Sequence, residues 1–373
     1  MTARSTPRNR MKRTVLAAIG SLSICALAAC ATPSQGGSTG EDVGLPAAIS
    51  LTVPYAPGGG TDTWARFIAP YLSANMEGAP TVLVENAPGG ESITGSNRYV
   101  NRGGTDGTTV LVTSGTTYIQ ALLGQPEVQF DFATMLPLML NGTGGVVYVS
   151  AATGITGLDD FVDYDETLVY GGISATGLDL TMLQALDVLD VDIDATFGFE
   201  GRGPARLALE RGETTIDYQT TSAYLTQVQP SVDAGTAVPL FSFGVLEDGE
   251  IVRDPALPDL PTLEEAYEIV NGKQPSGDAY DAYKAFLVPG YVYQKGIWAN
   301  EGTPDSIVDA YRAAARDIAA DADFVATSET VLGGYPLLPG DVAAEALVEA
   351  FTIPSAVRQY TLDMLADEYD VTL

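Results

Sequence analysis

The sequence contains no histidine and only two cysteines, Cys25 and Cys30. The missing imidazole removes Ser-His-Asp and Cys-His nucleophilic sites, the usual zinc sites and the commonest general base. Positive charge is scarce as well: 18 Lys and Arg stand against 48 Asp and Glu, a formal net charge of −30 at pH 7. Such a chain repels a duplex nucleic acid or an anionic membrane surface, so neither is expected as a partner. Beyond the amino-terminal segment no apolar run is long enough to cross a bilayer. For enzymatic chemistry this leaves carboxylate pairs or a lysine, and only Lys273, Lys284 and Lys295 follow that segment.

What is present first is an export signal. Arg4, Arg8, Arg10, Lys12 and Arg13 form a positive start, and Thr14 to Leu27 follow as an apolar run too short for a permanent span. The run ends in Leu27-Ala28-Ala29-Cys30, which resembles a bacterial lipobox. Residues 1–29 are therefore expected to be a signal peptide, with Cys30 lipidated at the new amino terminus. Cys25 would leave with the signal, so no disulfide is expected in the mature chain. Ala31 to Glu41 is Ser, Gly, Thr, Gln and Pro with almost nothing apolar, so residues 30–46 are expected to act as a tether. The protein is then expected outside the cytoplasm, held to the membrane only through lipid.

The body exceeds what one core usually serves, which predicts two lobes. Its elements alternate: strands at Ile49–Val53, Thr81–Val84, Thr108–Thr113, Val146–Val149, Thr167–Tyr170 and Thr214–Tyr218, with helices at Asp62–Leu72 and from Leu178. Strands separated by helices imply crossover connections and mostly parallel sheets, an α/β fold. Thr262-Leu263-Glu264-Glu265 predicts a capping box, and Thr303-Pro304 predicts an N-cap ahead of a first-turn proline. The helix it opens carries Ile307, Val308, Tyr311, Ala315 and Ile318 at core-facing spacing. Pro70 should kink the first helix or end it early.

The most informative stretch is Pro54-Tyr55-Ala56-Pro57-Gly58-Gly59-Gly60-Thr61-Asp62, which joins the first strand to the first helix. Consecutive glycines let the backbone approach a ligand closely, and the first helical turn offers unpaired N–H groups at a positive dipole end. That is an anion cradle, or else a purely structural turn. It is not a P-loop, and its glycine spacing is not that of a dinucleotide fingerprint.

Five segments in order carry a family resemblance. Val53 to Arg66 is similar to the opening motif of the substrate-binding proteins of tripartite tricarboxylate transporters, the TctC or Bug proteins. Val84-Glu85-Asn86-Ala87-Pro88-Gly89-Gly90 resembles their Val-Glu-Asn-x-Pro-Gly segment, and Asp106-Gly107-Thr108-Thr109 their Asp-Gly-x-Thr. Phe199-Glu200-Gly201-Arg202-Gly203-Pro204-Ala205 stands for Tyr-x-Gly-x-x-Pro-Ala. Leu257 to Glu265 resembles Leu-Pro-x-x-Pro-Thr-x-x-Glu.

The resemblance implies a two-lobed periplasmic-binding-protein type II fold with the ligand between lobes, no cofactor and no catalytic residues. It places lobe 1 at 47–145 and 242–373 and lobe 2 at 146–241, with hinges near Gly142–Val146 and Pro239–Phe243. Carried over by position, the first-lobe site is Tyr55, Gly59, Gly60, Thr61 and Asp62 with Ser114, Gly115 and Thr116. The second lobe adds Gly172, Ser174, Ala175, Thr176 and Gly177, with Thr176 as an N-cap. The implied function is capture of a small organic carboxylate by a monomer that delivers it to membrane permease subunits. The alternative is a sensor that presents the bound ligand to a histidine-kinase ectodomain.

Several positions depart from the family pattern. Glu91 and Ser92 stand where small residues are usual, Phe199 replaces a Tyr, and Thr215 stands where an Asp is frequent. The tyrosine-bearing stretch Val270 to Ile297 is longer than expected. Other constellations are weaker. Asp190-x-Asp192-x-Asp194 lacks the glycine and the terminal Glu of a calcium loop. Asp159, Asp160, Asp163, Asp165 and Glu166 read as a solvated face. Arg202 and Arg206 read as surface residues, with reach to a second ligand carboxylate as the alternative, and Trp64 and Trp298 as packing residues, with a place lining the cleft as the alternative.

Overall fold

The computed structural model describes residues 44–373 apart from 248, and they belong to one compact unit. Residues 1–29, expected to be a signal peptide, lie outside the described residues, as do Cys30 and most of the expected tether. None of the described helices is long and apolar enough to cross a membrane.

Among the described residues thirteen strands appear in chain order. They are β1 Ala48–Val53, β2 Thr81–Asn86, β3 Thr109–Thr113, β4 Leu136–Asn141, β5 Gly145–Ser150, β6 Leu168–Gly172, β7 Ile193–Phe197, β8 Ile216–Thr220, β9 Ala237–Ser242, β10 Val245–Glu247, β11 Glu250–Val252, β12 Lys295–Ala299 and β13 Leu337–Pro339. The helices that matter here are α1 Gly60–Asn75, α2 Ile93–Arg102, α3 Gly115–Leu123, α4 Leu158–Val162, α5 Leu180–Val188 and α6 Arg202–Glu210.

Two sheets result, a six-stranded one ordered β13-β4-β12-β3-β1-β2 and a five-stranded one ordered β7-β6-β8-β5-β9. In the first, β1, β2 and β3 run parallel and β12 enters antiparallel to both β3 and β4. In the second, β6, β7 and β8 run parallel while β5 runs against β8 and β9. The strand that arrives from the other lobe, β5 or β12, is thus antiparallel to its neighbours in each sheet. Helices flank both sheets. This is the two-lobed type II arrangement.

The strands form where buried side chains recur. Leu51 and Val53 of β1, Val110 and Val112 of β3 and Ile297 of β12 share one core with Trp64, Ile68 and Leu72 of α1. On the other face Trp298 packs edge-on to Tyr118, with Phe132 alongside. Trp64 and Trp298 are both packing residues, at 2% and 1% exposure. Burial of side chains this large is worth roughly 2–3 kcal/mol each relative to exposure.

Some local expectations change. Pro70 neither ends α1 nor shortens it; the helix runs on to Asn75. Pro70 and Arg66 both lie on the exposed face, so the carbonyl that loses its partner can turn to water. Thr303 is not the cap of the helix Asp305–Ala320, because its hydroxyl donates to the carbonyl of Asn300 at 2.8 Å and Pro304 holds the cap position. The core-facing residues of that helix are buried as expected. The Thr262–Glu265 capping box forms, with 3.0 and 3.3 Å bonds in the two directions. The acidic residues of α4 and its following turn are exposed. No group of three or more potential metal ligands occurs among the described residues, the Asp190–Asp194 stretch included.

One crossing between the sheets is the short link 142–144, near the expected first hinge. The other lies later than Pro239–Phe243. Leu263, Tyr283, Phe286 and Leu287 join the core built on Leu168, Tyr170, Ile216 and Phe241, so residues 243–287 pack with the second sheet. The chain returns to the first sheet only at 288–294. There Thr143 N donates to Tyr291 O at 2.9 Å, which ties the two crossings together.

Candidate functional site: the turns at the lobe crossing

In the first sheet α1 and α3 begin at the carboxyl ends of the adjacent parallel strands β1 and β3, where open α/β sheets present ligand crevices. Gly58 has φ +82, the left-handed backbone that glycine adopts at no cost. Asp62 holds the loop: its carboxylate accepts from Gly58 N at 2.8 Å, Arg66 Nε at 3.0 Å and Asn86 Nδ2 at 2.9 Å. Burial opposes ionisation of Asp62, but these bonds outweigh it and hold its pKa below the ordinary carboxylate value. Asp62 is thus committed to the loop itself. The amides of Gly60 and Thr61 stand at the helix start, where no intrahelical acceptor exists.

Tyr55 links the two helix starts. Its hydroxyl lies 2.6 Å from Ser114 Oγ and 2.7 Å from Thr117 Oγ1. Burial raises the Tyr55 pKa although the neighbouring hydroxyls oppose the shift, so it stays a neutral hydrogen-bonding group. Ser114 caps α3, and its amide donates to Thr117 Oγ1 at 3.3 Å.

The second-lobe turn is built differently. Helix α5 begins at Leu180 after Asp179, so Thr176 is not an N-cap. Asp179 precedes the helix and its Oδ2 accepts from the amides of Ile173 and Ser174. Its Oδ1 accepts from Tyr218 Oη at 2.8 Å and Arg202 Nη1 at 3.2 Å. Thr176 N donates to Ser174 Oγ at 3.2 Å, and Gly177 N to Ser174 O at 3.1 Å.

Behind this turn Arg202 corrects the surface reading. Its guanidinium donates to Asp179, Asp217 and Tyr170 Oη and lies 4.1 Å from the centroid of the Tyr218 ring. Burial pushes the Asp217 carboxyl up, against the pull of Arg202 and the hydroxyl of Tyr148. Both acids are distant from Arg202 in sequence, so nothing local signalled the cluster.

The crossing brings the two lobes' turns into contact. Thr116 Oγ1 accepts from Leu178 N at 3.3 Å. A Cβ added at Gly115 would meet Gly290 O at 2.3 Å and Leu178 Cδ1 at 2.6 Å, so only glycine fits there. Gly115 and Thr116 therefore meet the turn at Gly177 and Leu178, while Gly59 and Gly60 stay exposed to solvent.

Glu91 was not among the expected site residues. Glu91 and Ser92 follow the second glycine turn with φ of +51 and +95, a backbone that non-glycine residues rarely adopt. The Glu91 carboxylate accepts from Gln120 Nε2 of α3 at 3.3 Å and faces Ser174 of the second lobe. Burial raises its pKa, the Ser174 hydroxyl opposing and Asp179 adding to the shift. The signal was the departure from small residues at 91 and 92. Two cavities of about 480 and 460 Å³ lie elsewhere, lined around Tyr148 and Arg206 and around Phe130 and Phe351.

No family model matches the chain, and no curated protein does. Solved structures do. The periplasmic binding protein BugD matches at 20% identity over 87% of this chain and 98% of its own, with a TM-score of 0.61. A Rhodopseudomonas palustris protein with adipate matches at 22% identity over the same shares, with a TM-score of 0.62. MatC from that organism, with bound malate, matches at 21% identity over those shares, with a TM-score of 0.58. The chain has the fold of the Bug and TctC solute-binding proteins.

Proposed function

We propose that this protein captures a small organic carboxylate between its lobes and delivers it, unchanged, to the permease of a tripartite tricarboxylate transporter. The observation that carries the reading is the meeting, at the lobe crossing, of the α3 amino end with the turn that ends at Leu178, with the open amino end of α1 tied to α3 through Tyr55. Amides with no intrahelical acceptor and clustered hydroxyls suit a carboxylate without any arginine. The fold is shared with proteins solved with malate and with adipate, which supports the same ligand class here. The ligand positions proposed are Tyr55, Gly59, Gly60, Thr61, Ser114, Gly115, Thr116, Gly172, Ser174, Ala175, Thr176 and Gly177, with Asp62 shaping the loop. The protein acts as a monomer outside the cytoplasm, anchored by lipid on Cys30.

Thermal-shift screening against mono-, di- and tricarboxylates tests the binding claim, because a ligand of the folded form raises its melting point. If no carboxylate shifts the transition, the reading fails. Cys30→Ser should release the protein from the membrane fraction; retention there would remove the anchor.

A further inference from the structure

We propose that Lys295, at the lobe crossing, is the counter-ion that receives the ligand's carboxylate. The inference rests on the carboxylate-capture reading and adds a named recognition group to it. Gly296 pairs with Thr113, the last residue of β3, so Lys295 stands level with Ser114 at the sheet edge from which α1 and α3 begin. Alternation along β12 puts Lys295 on the face of Ile297, which packs with Trp64 and Ile68 of α1. Its partner in the ladder is Asn141, whose Oδ1 accepts from Trp64 Nε1 at 3.1 Å. Lys295 thus sits beside the first two turns of α1, on the same side of the sheet as the open amides of Gly60 and Thr61.

In a chain with 48 acidic residues, Lys295 has no ion pair and no side-chain hydrogen bond among the described residues. The charged groups on the elements around it are engaged elsewhere. Asp62 of α1 serves Gly58, Arg66 and Asn86; Asp254 accepts from Thr221 and Tyr335; Arg312 donates to Pro137 O. The adjacent Gln294, 5% exposed, leaves its Nε2 without an acceptor. A half-buried lysine without an anion among the described residues is a group that an anionic guest can pair.

Burial lowers the Lys295 pKa to about 7. A ligand carboxylate beside the amine favours its charged form, so binding above that pH draws a proton from solution.

The test compares the full chain with Lys295→Met and Lys295→Arg by thermal shift and calorimetry. The probes are acetate, malate, adipate, citrate and benzoate, with glycerol as a neutral control. Melting of each variant without probe verifies folding. The expected result is a carboxylate bound by the wild type with proton uptake at pH 8, at least tenfold weaker binding to Lys295→Met, and partial rescue in Lys295→Arg without uptake. Equal affinity in Lys295→Met overturns the role of Lys295 and leaves carboxylate capture standing. If no carboxylate binds the wild type, both proposals fall.

Discussion

In the first lobe the turn after β1 leaves the amides of Gly60 and Thr61 free of intrahelical partners, whereas in the second lobe Asp179 takes the amides of Ile173 and Ser174 for itself. The difference lies in where each carboxylate sits. Asp62 is inside α1 and reaches back only to Gly58, while Asp179 stands ahead of α5 and closes the turn onto its own side chain. A carboxylate inside the helix braces an anion seat and keeps it open. A carboxylate at the cap position fills the seat. The second-lobe turn therefore works as a rigid wall, tied through Arg202 to Asp217 and the sheet behind it.

Asp179→Ala breaks this contrast most severely. It leaves two amides and Tyr218 Oη without their acceptor and a mostly buried guanidinium with one carboxylate in place of two, so unfolding by urea should show a loss of about 3–5 kcal/mol. A loss below about 1 kcal/mol would mean that the turn does not depend on its carboxylate. Gly115→Ala should come next, because the new methyl overlaps Gly290 O and Leu178 across the crossing. The closed form should lose about 1–3 kcal/mol, read as a larger radius of gyration in small-angle scattering. An unchanged radius would show that the lobes are not held together at this point.

The parts of the fold that were legible in the sequence are those set by neighbours in the chain. Ile49 to Val53 announced a strand by its apolar run, and Thr262 with Glu265 announced a cap, because strand burial and capping boxes are decided within a few residues. Thr303 misled because its hydroxyl found the carbonyl of Asn300 before the helix could use it. The second crossing was misplaced because nothing in the sequence of 243–287 says which sheet its apolar faces cover; Tyr283 and Phe286 settle that only by joining the core that holds Tyr170 and Phe241. Arg202 was invisible for the same reason. Its partners Asp179 and Asp217 come from different elements, and only the fold of β6, α5 and β8 brings them together. In the candidate site, the contact of the Tyr55 hydroxyl with those of Ser114 and Thr117 could not be read from motif position.

Glu91 sharpens the comparison, since it sets a negative charge between an anion seat and the Ser174 turn. Glu91→Gln keeps the side chain's shape and removes the charge. Affinity for a carboxylate probe should rise about threefold to tenfold, close to 1 kcal/mol. Because burial raises the Glu91 pKa, the wild type should bind an ionised carboxylate more tightly as pH falls through that raised value, and the variant should show no such rise. Identical acid-side titrations of the two proteins would place Glu91 outside the ligand's reach.

The smallest effect on folding belongs to Gly59, and it isolates the seat from the scaffold. Gly59 has an extended backbone with φ −74, and a Cβ there would find its nearest neighbour, Ala56 O, at an ordinary 3.6 Å. Gly59→Ala should therefore change stability by no more than about 0.5 kcal/mol. The same methyl enters the space just ahead of the Gly60 and Thr61 amides, so an anion drawn to them loses room. Isothermal titration should show weakened carboxylate binding with an unaltered melting point in the absence of ligand. If binding is undisturbed while Gly115→Ala weakens it, the anion is held by the α3 amino end alone, and the turn after β1 is scaffold.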